Sequence, residues 1–300
     1  MPFCEADPWR LQYFERVECP PEVRIPTEDP DAYEWYPAHR SVYNKLTLAA
    51  SQGLACAPHG VAPPAFPVFS KPIMNLRGMG VGSRVLHDGA DYERHRTPGH
   101  FWMTLLEGEH VSTDLAVQDG AVRWLRHSLG RATHGGMFDY WTIEAARRAS
   151  LEHYLRGWVA RQLGGYTGML NLETLGGRII DAHLRFADQW PDLYGAGWLA
   201  AVVRLYQHGV WEHEDAERHD GYSVALFGPH GRSYPHPPPP LLAALRAAPR
   251  VCSVQITFHT DRAPAAHPMP PGGFRLAVVN CLELAAGHAA RARLAQFFGV

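Results

Sequence analysis

The chain has 300 residues, of which 46% are hydrophobic, and its 28 basic and 30 acidic side chains leave a formal net charge of -2. A chain of this length and composition can bury a sizeable core, which excludes a disordered protein and favours one compact unit of two or three subdomains. The near balance of charge, without long blocks of one sign, excludes the basic surface of a nucleic-acid-binding protein.

The cysteines and the apolar segments indicate the compartment. Five cysteines are scattered along the chain without a Cys-x-x-Cys pair, so we expect reduced thiols and neither a disulfide framework nor a structural zinc site. The N-terminus lacks the basic and apolar regions of a signal peptide. The longest apolar stretch, around residues 195–203, is too short to span a bilayer. We therefore expect a soluble, cytoplasmic protein without membrane contacts.

The first hundred residues predict an arm, a helix and two strands around a glycine loop. Residues 1–40 are rich in proline and form an extended arm or a reduced subdomain. A helix is predicted to start at Ser41 as N-cap and to end at Gly53. A buried strand over residues 66–72 follows, and a second strand from residue 84 enters a turn at Asp88-Gly89.

The loop between those strands carries Gly78, Gly80 and Gly82. Alternating glycines leave backbone amides free to approach an anion closely, which is typical of a loop that covers phosphates. No Gly-Lys-Ser/Thr sequence follows and no helix comes next, so the loop is neither a Walker loop nor a Rossmann fingerprint. A purely structural turn explains the glycines equally well, but the nearby Lys71 and Arg77 favour a phosphate-covering loop.

The rest of the chain predicts a hairpin meander over residues 101–125, a helix over residues 143–163, a hairpin over residues 165–185 and a C-terminal region after the prolines of residues 235–240. The later elements are a helix over 197–208, a strand over 222–227, a helix over 241–247, strands over 251–258 and 274–279, and a helix over 281–298. Aromatic side chains between residues 190 and 211 are expected in a core rather than in a substrate cleft.

The hairpin over residues 165–185 is the most informative segment. We predict a three-residue turn, Leu175 to Gly177, which pairs Glu173 with Ile179 and Asn171 with Asp181. Paired side chains share a face and side chains alternate along a strand. The polar side chains expected on one face are Asn171, Glu173, Asp181, His183 and Arg185. A two-residue turn on the glycines would instead place Glu173 opposite to that face.

This polar face predicts a magnesium site. Two clustered carboxylates are costly unless a cation neutralises them, and hard oxygen ligands with open positions suit Mg²⁺ bound to phosphates. A polar, solvated hairpin face is the alternative. The polar side chains that follow, Asp188, Gln189 and Asp192, could contact a substrate or cap the next helix.

The order of these features resembles the ATP-grasp superfamily. Lys45 on a helix, Lys71 at the end of a strand and the glycine loop are similar to the paired lysines and flexible lid that hold the phosphates of ATP there. Residues 105–114 resemble the strand after the hinge, with His110 at a position usually occupied by glutamate. The hairpin resembles the metal site, in which a first carboxylate precedes a Glu-x-Asn-x-Arg sequence. The resemblance covers residues 41–190, and residues 221–224 and 271–279 match more loosely.

The resemblance implies an α+β, ATP-grasp-like fold in which two α+β subdomains grip a nucleotide and a small C-terminal α/β segment is added. The implied domains are an arm or reduced subdomain over residues 1–40, the N-terminal ATP-grasp subdomain over 41–104, the C-terminal subdomain over 105–234 and an extension over 235–300. The implied activity is that of an ATP-dependent ligase that joins a carboxylate to an amine, or a similar nucleophile, through an acyl phosphate.

The resemblance also assigns roles to residues. The cofactors would be ATP and Mg²⁺, or Mn²⁺, and the partners a small-molecule carboxylate and amine, with a homodimer possible. His183 stands where asparagine is usual, and Asp181 where glutamate is usual. The implied nucleotide-binding residues are Lys45, Lys71, Arg77, Gly78, Gly80, Gly82 and Glu107. The implied metal ligands are Glu173, Asp181 and His183, and the implied catalytic residues are Lys71 and Arg185.

Two alternatives stay open at this stage. The first is a nucleotide-binding regulatory or scaffold protein that has lost catalysis, because Asp181 and His183 depart from the usual residues. The second is a non-haem metal oxygenase in which His183, Asp181 and a remote histidine hold iron. That second alternative leaves Lys71 and the glycine loop unexplained.

Overall fold

The structure is a computed structural model that describes residues 7–15, 17–76, 78, 80–216 and 218–300. The chain begins with α1 (Pro8–Phe14) and α2 (Asp29–Trp35). A short 3₁₀ turn (Arg40–Tyr43) then leads into α3 (Lys45–Ala50). The side chain of Asn44 accepts a hydrogen bond from the Thr47 amide at 3.0 Å and caps α3. The predicted cap at Ser41 is therefore wrong, because Ser41 lies within the 3₁₀ turn.

The smaller of two sheets follows α3. Its antiparallel strands are β1 (Cys56–Pro58), β2 (Val68–Pro72), β3 (Arg84–Leu86) and β4 (His100–Thr104), in the order β1-β4-β2-β3. The glycine loop lies between β2 and β3, as predicted. The predicted turn at Asp88-Gly89 is wrong, because Asp88 accepts from the Asp91 amide at 2.8 Å and caps a helix, α4 (Gly89–His95).

The larger sheet has eight strands in the order β11-β12-β10-β7-β6-β5-β8-β9, and all neighbours are antiparallel. Its strands are β5 (His110–Gln118), β6 (Ala121–Ala132), β7 (Phe138–Ile143), β8 (Gly168–Leu175), β9 (Arg178–His183), β10 (Gly221–Gly228), β11 (Val251–Ile256) and β12 (Phe274–Cys281). The helices among them are α5 (Ala149–Gln162), α6 (Trp198–His208), α7 (Pro239–Arg246) and α8 (Leu284–Phe298). The helix predicted from residue 143 starts later, because Ile143 ends β7.

The predicted domain boundaries at residues 40, 104 and 234 remain predictions. Strands from both sides of residue 234 pair in the larger sheet, because β12 lies directly beside β10. None of the helices that the structure describes combines the length and the apolar character needed to cross a bilayer.

The larger sheet has a core on each face. Neighbouring side chains of one strand enter different cores, as Trp124 and Leu125 do on β6. α5 packs in the core that contains Leu125, and α6 packs in the aromatic core that contains Trp124. This aromatic core includes Trp190 and Trp198, so the expectation that these aromatics form a core is confirmed.

The hairpin of β8 and β9 differs from the predicted register. Leu175 pairs with Arg178 across a two-residue Gly176-Gly177 turn, so the predicted three-residue turn is wrong. The predicted pairs of Glu173 with Ile179 and of Asn171 with Asp181 are wrong as well. A bulge at Ile180 puts one extra residue into β9.

The bulge restores the polar face that the turn alone would have divided. Beyond it, Glu173 pairs directly with Asp181, and Asn171 pairs with His183. Directly paired side chains share a face of the sheet. The predicted shared face is therefore present, although the bulge rather than the turn produces it.

The Gly176-Gly177 turn also packs against the segment that precedes β5. Both glycines have positive φ, 56° at Gly176 and 77° at Gly177. The Gly176 amide donates to the Glu109 carbonyl at 3.1 Å. A Cβ added at Gly176 would overlap the backbone oxygen of Glu107, whereas one at Gly177 would meet open space.

Gly176→Ala should therefore destabilise the protein more than Gly177→Ala. Each alanine is strained by a left-handed backbone, at about 1–2 kcal/mol. Only the Gly176 variant must also push the Glu107 backbone away, which adds about 1–3 kcal/mol. Urea unfolding of the two variants gives the difference directly. Equal unfolding free energies would contradict the tight contact between the turn and residues 107–109.

Candidate active site

The polar face of the hairpin extends onto β5. Asn171 is buried and donates to the Ser112 hydroxyl at 2.8 Å and to the Asp114 carboxylate at 2.7 Å. Asp114 also accepts from the Ala187 amide at 2.9 Å and from the Tyr194 hydroxyl at 2.8 Å. These bonds fix the segment that leaves β9. The side-chain amide of Asn171 thus links β8 to β5 within the polar face.

Two lysines from separate elements reach β9 at the bulge. Lys45, the first residue of α3, forms an ion pair with Asp181. Lys71, near the end of β2, donates to the Ile180 carbonyl at 2.6 Å. Both lysines are buried. The structure therefore brings the two lysines predicted to bind phosphate to the same point as the predicted metal ligands.

The ammonium of Lys71 is in an unfavourable environment. Burial and then the positive charge of Lys45 lower the pKa of Lys71 from 10.5 to about 8, although Asp181 and Glu173 act in the opposite direction. Lys71 consequently remains mostly protonated at neutral pH. An additional anion close to it would relieve the repulsion between the two ammonium groups.

Glu173 is held as an anion by its neighbours. Burial alone would raise the pKa of Glu173, but the hydrogen bond from His110 and the charges of His110, His183 and Lys45 outweigh it and lower the pKa to about 2. The Nε2 atom of His110 lies 3.1 Å from Glu173 Oε2. In the sequence, His110 is only a departure from a pattern. Its contact with Glu173 makes it part of the site.

The N-terminal segment contributes Asp29, which sequence reasoning missed. Its carboxylate Oδ2 lies 2.8 Å from His183 Nδ1 and accepts from Arg185 Nη2 at 3.1 Å. The hydroxyl of Tyr43 donates to Oδ1 at 3.1 Å. The side chains of His183 and Arg185 hold the pKa of Asp29 well below its usual range, even though burial opposes this. No feature of the proline-rich sequence around Asp29 marks it as a site residue.

The donor set fits magnesium in one mode but does not form a cage. Among the described residues, no three or more His, Cys, Asp or Glu side chains are grouped so that they could hold a metal ion. His183 Nε2 lies 3.9 Å from oxygens of both Glu173 and Asp181. Magnesium is usually held by one or two carboxylates together with phosphate oxygens and water. The paired carboxylates fit that mode, with His183 as a neighbour. The iron-centre alternative needs three protein ligands around one ion, and the described residues contain no such group.

The glycine loop begins where the Lys71 strand ends. Gly78, Gly80 and Gly82 all have positive φ, between 63° and 79°, so each uses a conformation that glycine adopts most easily. A Cβ on Gly82 would lie 3.1 Å from the His100 imidazole and 3.3 Å from the Pro72 ring. The loop is thus packed against the smaller sheet at its far end. Arg77 lies outside the described residues.

The remaining candidates have other partners. Glu107 is exposed beside the Gly176 turn. Asp188 pairs with Arg10 Nε at 2.5 Å. Asp192 accepts from the Ser253 hydroxyl at 2.8 Å and from the Asn280 amide at 2.7 Å. Protein groups therefore already bind Asp188 and Asp192, and their predicted contact with substrate stays a prediction.

Comparison with known proteins supports the fold. No model of a known protein family matches the chain, and no curated protein matches it. Among solved structures, an L-amino acid ligase from Bacillus licheniformis matches with a TM-score of 0.65 and 13% identity, over 96% of this chain and 82% of that one. An N5-carboxyaminoimidazole ribonucleotide synthetase from Thermus thermophilus matches with a TM-score of 0.58 and 15% identity, over 97% and 84% of the chains.

A third match is a carboxyaminoimidazole ribonucleotide synthase from Aspergillus clavatus, solved with ATP, with a TM-score of 0.59 and 11% identity over 90% of this chain and 79% of that one. All three are ATP-grasp enzymes. The chain therefore has an ATP-grasp fold of the α+β class, and the predicted resemblance and fold class are confirmed. At these identities the likeness concerns the fold, and activity is a separate question.

Lys71→Met should stabilise the protein at pH 7 and much less at pH 10. Because the pKa of Lys71 falls from 10.5 in the unfolded chain to about 8 in the folded protein, the unfolded chain binds more protons between these values and stability rises with pH there. At pH 7 the charged ammonium of Lys71 costs the folded protein about 3 kcal/mol, and methionine removes this cost. The variant also loses the hydrogen bond to Ile180, which offsets about 1 kcal/mol of the gain.

Urea unfolding of both proteins at pH 7 and pH 10 tests this expectation. The difference between variant and wild type isolates Lys71 from the other groups that titrate over the same range. A stability difference that is the same at the two pH values would show that the pKa of Lys71 is ordinary.

Proposed function

We propose that this protein is an ATP-dependent ligase that joins a small-molecule carboxylate to an amine through an acyl phosphate. The observation that carries the proposal is the direct pairing of Glu173 with Asp181 at a bulge contacted by Lys45 and Lys71. An enzyme that transfers phosphoryl groups needs carboxylates that bind a divalent cation and, close to them, ammonium groups that bind the phosphates. The ligase and synthetases of similar fold support the reaction class.

The cation would be held by Glu173 and Asp181. When bound with ATP, Mg²⁺ neutralises the phosphate oxygens and polarises them. His183 adds positive character beside the two carboxylates, because Asp29 and Asp181 raise its pKa although burial opposes this. Glu173, Asp181 and His183 would thus hold their charges in place before the reaction starts.

The reaction proceeds in two displacements in this proposal. An oxygen of the substrate carboxylate attacks the γ-phosphorus of ATP, and the bond from that phosphorus to the β-γ bridging oxygen breaks to release ADP. The amine then attacks the acyl carbon, phosphate leaves, and the amine loses a proton. Lys45, Lys71 and Arg185 stabilise the charge on the transferred phosphoryl group. The loop over residues 75–83 closes over the phosphates and excludes water.

One observation favours a second candidate, a nucleotide-binding protein without turnover. Lys45 already pairs with Asp181 and His110 with Glu173, so a cation must compete with protein side chains for both carboxylates. Such a protein would bind ATP with Mg²⁺ and release no ADP with any acceptor. Screening pools of small acids and amines for ADP release therefore separates the two candidates.

Glu173→Gln and Asp181→Asn should each lower ADP release by about 100-fold or more. Each amide keeps the shape of the side chain and removes one negative charge. This weakens binding of the cation and therefore the charge stabilisation that the cation provides. ADP release measured at several Mg²⁺ concentrations, with circular dichroism to confirm folding, checks the effect. Glu93→Gln, an exposed carboxylate on α4, is the control. Wild-type rates in both variants at limiting Mg²⁺ would place the metal elsewhere.

Nucleotide binding should slow hydrogen exchange in the loop over residues 75–83. Several glycines with positive φ make the free loop entropically costly to fix, so contacts with phosphates should protect its amides only when ligand is present. Exchange followed by mass spectrometry with and without ATP and Mg²⁺ measures this. Identical exchange in the two states would rule out a lid role for the loop.

A further inference from the structure

Asp29 links the N-terminal segment to both His183 and Arg185. Its side chain is only 5% exposed, and it lies 154 residues before His183 in the sequence. One carboxylate oxygen lies 2.8 Å from His183 Nδ1 and 3.1 Å from Arg185 Nη2. The other oxygen lies 3.0 Å from Arg185 Nε. A single buried carboxylate therefore contacts two consecutive side chains of the polar face.

The position of Asp29 is fixed by packing. Asp29 begins α2, whose Ala32 is fully buried in the core beneath α5. The hydroxyl of Tyr43 donates to Asp29 Oδ1 at 3.1 Å and accepts from the Leu184 amide at 3.0 Å. This one hydroxyl ties the carboxylate to the backbone between His183 and Arg185. The packing of α2 thus fixes the backbone of Asp29, and the hydroxyl of Tyr43 holds its side chain in place.

These contacts leave a defined part of Arg185 available. A guanidinium has five N–H donors. Nη2 donates one to Asp29, Nη1 donates one to the Phe186 carbonyl at 3.1 Å, and Nε points along the side that Asp29 covers. Within the described part of the chain, the two other N–H groups of Nη1 and Nη2 form no hydrogen bond. Two such N–H groups can bind two oxygens of a phosphoryl group.

Asp29 orients His183 in a similar way. Because Nδ1 faces Asp29, the opposite ring nitrogen points at the metal-binding carboxylates, with Nε2 lying 3.9 Å from Asp181 Oδ1 and from Glu173 Oε1. A carboxylate that holds one ring nitrogen fixes the orientation of the other. Asp29 thus sets the direction of both side chains that lie next to the paired carboxylates.

We propose that Asp29 is a positioning residue for phosphoryl transfer, which it supports through Arg185 and His183 without touching the substrate. The inference rests on the ligase proposal, since it concerns the same site. It also gives the N-terminal segment a role in the site: this segment supplies the support that aims Arg185 at the transferred group.

A competing interpretation makes the opposite prediction. If Asp29 were only an internal anion that fills the place of a ligand, its neutralisation would leave the charge of Arg185 uncompensated and would strengthen binding of an anion. If Asp29 positions Arg185, the same change frees the guanidinium to rotate and weakens binding of a phosphoryl group. The sign of the effect therefore decides between the two interpretations.

The test uses ADP, Mg²⁺ and aluminium fluoride, which together mimic the transferred phosphoryl group and need no acceptor. We expect Asp29→Asn to weaken binding of this mimic by about 10- to 100-fold, the range found when a group that orients a ligand is removed. Its affinity for ADP and Mg²⁺ without fluoride should stay within about twofold, because ADP lacks the phosphoryl group that Arg185 would hold. Glu34→Gln, an exposed carboxylate on the same helix, should match the wild type in both measurements. Calorimetry on the full chain gives all of these affinities.

Equal or tighter binding of the mimic by Asp29→Asn would overturn the positioning role and leave the ligase proposal intact. Wild-type protein that binds ADP and Mg²⁺ but not the mimic would instead overturn the ligase proposal and the positioning role with it. If Asp29→Asn does not fold, Tyr43→Phe replaces it, because it keeps the carboxylate and removes one of its hydrogen bonds. That variant should bind the mimic about threefold more weakly, and unchanged binding would overturn the proposal.

Discussion

The bulge at Ile180 is the constraint on which the site depends. With the two-glycine turn alone, Asp181 would point into the core that contains Leu172 and Ala182, where a carboxylate is very costly. The extra residue turns Asp181 back to the side of Glu173. It also leaves the Ile180 carbonyl without its regular place in the ladder, on a strand at the edge of the sheet. Lys71 satisfies that carbonyl, so the same irregularity joins the two sheets.

Electrostatic balance explains why so many cations surround two carboxylates. Asp181 is paired with Lys45, and Glu173 is bonded to His110. These pairs let the face fold with its charges compensated. A divalent cation entering between the carboxylates would take over part of that compensation and release Lys45 toward phosphate oxygens. The pairing of Lys45 with Asp181 thus keeps the two groups at the same point, where a bound cation would compete with the ammonium.

The sequence predicts the members of this face but not how they are arranged. Period-two alternation is strong enough to select Glu173, Asp181 and His183, and the glycines mark the turn between them. The bulge has no comparable signal, because an extra residue in a strand changes neither composition nor hydrophobicity. The register is therefore wrong although the face is right. Capping at Asn44 and Asp88 was missed for a related reason: Ser, Asn and Asp close together in sequence offer several caps, and tertiary contacts select one.

Asp29 lay beyond the reach of sequence reasoning. Its partners in the site, His183 and Arg185, are more than 150 residues away, and local propensity carries no information about such contacts. The prolines around Asp29 predict an extended arm or a reduced subdomain, and they give no indication of the short helices α1 and α2.

The long separation of these contacts has a consequence for synthesis of the chain. Tyr13 lies 3.2 Å from the side-chain amide of Asn280, which is 267 residues away. Arg10 and Asp29 form ion pairs with side chains between residues 183 and 188. Residues 10–29 are synthesised before all of these partners and therefore dock late. Contacts that close such long loops form slowly, so the polar face would lack its Asp29 contacts until residues 183–185 had been synthesised and folded.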